Sequence, residues 1–103
     1  MNNTELENNA LKVLFERYLN VLMNNKDKFN TINLPEKCNF NSLHRLLTEA
    51  VNNLDNYPKD KMHRWLGFIK GVLSVIGLID VDEEREFSRP LLHSYHDKKP
   101  KSF

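Results

Sequence analysis

The chain has 103 residues, with 15 Lys and Arg against 14 Asp and Glu, for a formal net charge of +1. This length supports one domain with one modest core. The near-neutral balance excludes the strong electrostatic drive that carries basic proteins to nucleic acid or anionic membranes. A single cysteine, Cys38, excludes an intramolecular disulfide and a cysteine-rich zinc site. The polar, acidic N-terminus is unlike a signal peptide, so cytoplasmic residence is expected.

Taken in order, Thr4 with Glu7 reads as a capping box that starts a first helix at Glu5. Leu11, Leu14, Phe15, Tyr18 and Leu22 form its apolar face, whereas Lys12, Glu16, Arg17 and Asn20 are expected to face water. Val13, Val21 and Met23 lie partly off the face, as edge contacts or as a second surface. The helix ends near Asn24–Asn25, since asparagine tolerates the left-handed conformation. Residues 26–40 read as a connector without a lasting period, anchored by Phe29, Ile32, Leu34 and Phe40.

The second helix has the clearest period. Asn41 is the expected cap, and Leu43, Leu46, Leu47, Ala50, Val51 and Leu54 recur at helical spacing. His44, Arg45, Thr48, Glu49 and Asn52 make its wet face. Pro58 disfavours a helical conformation at Tyr57 and closes this segment.

The third helix, about Asp60 to Ile76, reads as the apolar central helix of the domain. Met62, Trp65, Leu66, Ile69, Leu73 and Ile76 form one wide face, and Phe68, Val72 and Val75 form a second stripe beside it. Gly67 and Gly71 lie on one side, each costing roughly 1 kcal/mol relative to alanine. Something is therefore expected to approach them closely: another helix of the same subunit, a symmetry mate or a ligand. Lys70 interrupts the apolar run, and the apolar stretch beyond it is too short to span a bilayer. Gly77 should end the helix in a Schellman turn, with Leu78 folding back on Leu73. Asp80-x-x-Glu83 then caps a fourth helix, which makes the two helices near-antiparallel neighbours.

In the fourth helix Phe87, Leu91 and Tyr95 are expected to pack inward, and Pro90 must kink or split it. The expectation is thus an all-α, small four-helix domain over residues 1–97, followed by a basic tail, 98–103.

Basic residues gather late in the chain. If the third and fourth helices lie side by side, Arg64, Lys70, Arg85, Arg89, His93 and His96 can meet near Gly67 and Gly71. Guanidinium groups bind phosphate and carboxylate bidentately, so these eight residues are a candidate anion site. The plain alternative is that Arg85 and Arg89 pair with Glu83, Glu84 and Glu86 on their own helix. His93 and His96 have a spacing that divalent metals use, but no further ligand is designated, so no metal and no cofactor are assigned. The sequence holds no phosphate-cradling glycine loop, nucleophile elbow or His-Glu-x-x-His, and an enzyme is not expected. Trp65 reads as core and Cys38 as incidental. The third helix is too apolar to serve as a DNA-recognition helix.

The string His63-Arg64-Trp65-Leu66-Gly67-Phe68-Ile69-Lys70-Gly71-Val72-Leu73, followed by Gly77-Leu78 and by Asp80 to Arg85, resembles a recurrent pattern. It is similar to the Arg-Trp-Leu-Gly-Phe-x-Gln-Gly core of small uncharacterised proteins encoded by tailed bacteriophages. The likeness covers roughly the last 40 residues, and Lys70 stands where the pattern has glutamine. No activity is established for that family, so the resemblance implies a genomic setting. Small accessory phage proteins often inhibit host proteins or defence systems, some as helical oligomers that sequester signalling nucleotides. Taken with the negative motif search, this leads to the expectation of a non-enzymatic accessory protein in the host cytoplasm that binds and neutralises a host protein or an anionic small molecule. The excess apolar surface of the third or first helix leads to the expectation of a homo-oligomer, with a dimer favoured. The alternative is a small nucleic-acid-associated regulator, with Lys98, Lys99 and Lys101 extending a basic surface.

Overall fold

The structure, a computed structural model, describes residues 3–96, with side chains for residues 4–91. The basic tail expected at 98–103 lies outside the described residues, as do the side chains of His93, Tyr95 and His96. The described chain is all-α. The long helices are α1 (Asn3–Asn24), α3 (Phe40–Asn52), α4 (Lys59–Val75) and α5 (Val81–His96), and a short α2 (Lys26–Asn30) follows α1. A single 3-10 turn, Glu36–Cys38, lies in the connector before α3. No described helix is long and apolar enough to cross a membrane.

The hub is α1, not the apolar helix α4. Leu11, Leu14, Phe15, Tyr18 and Leu22 are each at most 1% exposed, because α3, α4 and α5 all pack on α1. This is the face that the helical period marks out. Leu43, Leu47 and Ala50 of α3 and Met62, Leu66, Ile69 and Leu73 of α4 close the core around it. Trp65 is half-buried at the core edge, with its ring edge-on to Tyr57 at 5.9 Å between centroids.

Several helix ends differ from the sequence reading, each for a local reason. Thr4 is already helical, and the Glu7 carboxylate does not fold back as a capping-box partner. It meets His63 Nε2 at 2.7 Å and ties α1 to α4. Asn25 ends α1 at φ −126, outside the left-handed region, with its side-chain amide donating to the Val21 carbonyl at 2.7 Å. The connector is more ordered than its lack of period implies. Phe29 on α2 is buried and meets Phe40 edge-on at 6.0 Å. The cap of α3 is Asn39 rather than Asn41, its Oδ1 accepting from the Ser42 N–H at 2.9 Å.

The turn between α4 and α5 forms as its residues dictate. Gly77 takes φ +82. The Leu78 N–H donates to the Leu73 carbonyl at 2.9 Å, and the Gly77 N–H donates to Ser74 at 3.1 Å, the two bonds of a Schellman ending. Asp80 Oδ1 accepts from the Glu83 N–H at 3.0 Å and caps α5. However, α4 and α5 do not pack along each other, since both lie against α1. The side-by-side pair expected from the short turn is absent among the described residues, because polar contacts hold α5 to α1. α5 is continuous through Pro90, not divided in two.

What fastens α5 is polar. Phe87 is exposed on its outer side, Leu91 packs half-buried against the core, and among the described side chains of α5 those that turn fully inward are Glu84 and Ser88. Arg17, expected in water, reaches Glu84 with a two-pronged contact, Nε to Oε1 at 2.9 Å and Nη2 to Oε2 at 2.8 Å. The buried Tyr18 side chain lies close enough to the same carboxylate to feel its charge. The Arg17 guanidinium lies 3.8 Å from the Phe87 ring centroid, a cation–π contact that covers the pair from outside. The hydrogen bond from Arg17 holds the Glu84 carboxyl below the ordinary value of 4.5, and desolvation opposes this less strongly. Burial and the neighbouring Glu84 charge push Tyr18 up, so its hydroxyl stays a donor.

Removing one partner leaves a buried charge unpaired. Arg17→Met should therefore destabilise the fold by about 3 kcal/mol, at the low end for a buried pair because Arg17 is partly exposed. Arg17→Met with Glu84→Leu should recover most of that loss. A group with a lowered folded pKa stabilises above its unfolded pKa and loses that contribution as pH falls through the folded value. The stability gap between wild type and Arg17→Met should thus be full near neutral pH and narrow as pH falls below the ordinary carboxylate range through the lowered folded value. Urea unfolding at each pH checks both outcomes.

Candidate functional site

The residues expected to form an anion site do not share one environment. Gly67 and Gly71 lie exposed on the outer face of α4, with the exposed Arg64 beside them. Lys70 is half-buried on a different side of α4, where its charge acts on Glu84. On α5, Arg89 pairs with Glu86 at 3.0 Å and Arg85 pairs loosely with Asp82 at 3.9 Å. The plain alternative describes Arg89, which meets Glu86, but not Arg85, whose partner is Asp82 and not Glu83, Glu84 or Glu86. The side chains of His93 and His96 lie outside the described residues. Among the described residues no three His, Cys, Asp or Glu side chains gather to hold a metal ion.

What the glycines border instead is apolar. An open groove of about 460 Å³ runs along the outer side of α4. Gly67, Phe68, Gly71, Val72, Val75 and Ile76 form its floor and one wall, and Leu34, Pro35 and Cys38 form the other. Phe68 is 41% exposed and Val75 87% exposed. Among the described residues no neighbouring group lies within 4 Å of where a Cβ would stand on Gly67 or Gly71. The close packing inside one subunit that the glycine pair suggested is therefore not present. The helical period explains the arrangement. Met62, Leu66, Ile69 and Leu73 turn toward α1, and the second stripe of Phe68, Val72 and Val75 is rotated off that face, so only Val72 reaches the core edge.

The second wall is readable from the sequence only in part. Leu34 stands out as an apolar anchor of the connector, but nothing in the spacing places it beside α4. Cys38, read as incidental, lines the groove.

Two other hollows are polar. One, between α1 and the α4–α5 turn, is lined by Arg17, Asp80, Glu83 and Glu84 among others. Its carboxylates outnumber its one guanidinium, which disfavours an anion. The other is lined by Asn8, Asn9, Asn52 and Asn56 with Lys12 and Asp55. There the Asn8 amide donates to Asp55 at 2.9 Å.

Comparison with protein-family models, with curated proteins and with solved structures gives no match.

The glycines separate two roles in one experiment. Gly77→Ala forces a side chain into φ +82 and should cost about 1–2 kcal/mol. Gly67→Ala and Gly71→Ala enter open helical positions and should each stabilise by about 0.5–1 kcal/mol. Urea unfolding at submicromolar protein reads all three. Destabilisation by alanine at position 67 or 71 would mean that this face is packed within the chain.

Proposed function

We propose that this protein is a small phage accessory protein that binds and neutralises a host protein, without catalysis and without a cofactor. The outer face of α4 is its working surface. The observation that carries this reading is the open apolar groove beside the two solvent-facing glycines. Its shape suits an apolar helix laid along α4, because glycine lets a second helix backbone approach closely and apolar walls give the contact its energy. Recognition of this helix-in-groove kind reads apolar anchors at helical spacing on the target. A protein target is favoured over an anionic nucleotide, since Arg85 and Arg89 already hold carboxylates and the groove lining is apolar.

Cys38 provides the test, because it is the chain's single cysteine and lines the groove. A maleimide photo-crosslinker attached there should capture a discrete host protein from lysate. Gly71→Glu, which puts a charge on the groove floor, should reduce that capture at least tenfold while leaving the helical circular dichroism unchanged. Capture that is absent, or indifferent to Gly71→Glu, would overturn the reading.

A further inference from the structure

The groove has a property that a simple receptor surface lacks: it is complementary to itself. Phe68 projects from the same face on which Gly67 and Gly71 leave a hollow, one turn or less away along the helix. A two-fold axis makes residue i of one copy meet residue j of the other, and j meet i. A projection and a hollow this close on one face therefore fill each other twice when two copies pair. The groove alone suits many apolar occupants, and this knob-and-hollow pairing selects among them.

We propose that a second copy of this chain occupies the groove. Two α4 helices pack antiparallel about an axis between Gly67 and Gly71, and each Phe68 seats on the glycines of the other. Charge supports the antiparallel sense. On the N-terminal half of α4, Arg64 is exposed with no ion pair among the described residues, whereas Lys61 lies over the Tyr57 and Trp65 rings and Asp60 sits in the first turn. The chain just past the C-terminal end of α4 carries exposed Asp80 and Glu83, which border the hollow beside Arg17, and Asp82, which pairs loosely with Arg85. Antiparallel pairing turns Arg64 of each copy toward the acidic end of the other, and parallel pairing would bring like charges together. Arg64 then faces the last turn of the partner's α4, where backbone carbonyls also favour a cation.

The size of the face sets the strength. The 17 residues of α4 span about 25 Å. With the connector wall, such a strip buries on the order of 500 Å² per copy, near the lower bound of a specific interface. The dimer is accordingly weak, with a dissociation constant in the micromolar range. The regulatory consequence rests on the function proposed above. The dimer hides the apolar groove, and a host helix must displace the second copy to enter, so the free protein keeps its binding face out of water until the target is present.

Sedimentation velocity from about 1 to about 100 µM tests the pairing without any target. Wild type should shift from monomer to dimer across this range, and the alkylation rate of Cys38 should fall in parallel. Gly67→Ala with Gly71→Ala should weaken the dimer at least tenfold while raising the urea midpoint of the monomer, which separates lost pairing from lost folding. Phe68→Ala should weaken it similarly. A monomer at every concentration would overturn the inference and leave a free groove, with the host-protein reading intact. A dimer insensitive to these substitutions, with Cys38 equally reactive at all concentrations, would place the contact elsewhere and overturn it as well. Failure of the host-protein reading appears separately, as loss of groove-dependent capture by Cys38.

Discussion

Burial of one helix face holds this molecule together. Leu11, Leu14, Phe15, Tyr18 and Leu22 occupy consecutive turns of α1, and their removal from water draws α3, α4 and α5 onto a single axis. Each such side chain contributes on the order of 2 kcal/mol, which outweighs any preference of neighbouring helices for each other. α4 and α5, though joined by a tight turn, part company after Gly77 and settle separately against α1, α4 by its apolar face and α5 chiefly by the Arg17–Glu84 pair. The His63–Glu7 contact and the Arg17–Glu84 pair then fix the rotation of α4 and α5 about that axis.

The fastening of α5 differs in kind from that of α3. α3 presents leucines and alanine to the core, a non-directional contact. α5 presents Glu84 and Ser88, and its placement depends on a directional bond to Arg17 that tolerates little displacement. Such a pair does not add much net stability over apolar residues of the same volume, but it penalises the wrong rotation heavily. Phe87 follows from the same geometry: with Glu84 turned inward, it is left on the outside, where the Arg17 guanidinium covers its ring.

α4 carries more apolar surface than α1 can cover. Its inner residues complete the core, and its outer stripe borders the groove. The two glycines sit on that outer side at a cost to helix stability that no contact among the described residues repays. A surface of this kind points toward association, and its lining points toward an apolar helix as the associating group. The cations that the sequence groups with the glycines are distributed by the fold to unrelated tasks. Lys70 acts on Glu84, and the α5 arginines pair along their own helix.

By itself the sequence determined the helical periods and the turn between α4 and α5, but not every helix end: the Glu7 carboxylate goes to His63 across the core instead of capping α1, and Asn39 instead of Asn41 caps α3. The period of Leu11 to Leu22 and of Leu43 to Leu54 specifies helices and their buried faces, because side chains three and four apart share a face whatever surrounds them. Gly77, Leu78 and Asp80 specify the Schellman turn and the cap beyond it, because both close within a few residues. The tertiary structure alone decided which helix is central, which carboxylate Arg17 meets across 67 positions, and what lies opposite Gly67 and Gly71. Those outcomes depend on how several apolar faces compete for one another, and no local spacing records that competition. The groove is the clearest case: its floor was legible as a glycine pair beside an apolar stripe, but its far wall comes from Leu34, Pro35 and Cys38, brought to α4 only by the path of the connector.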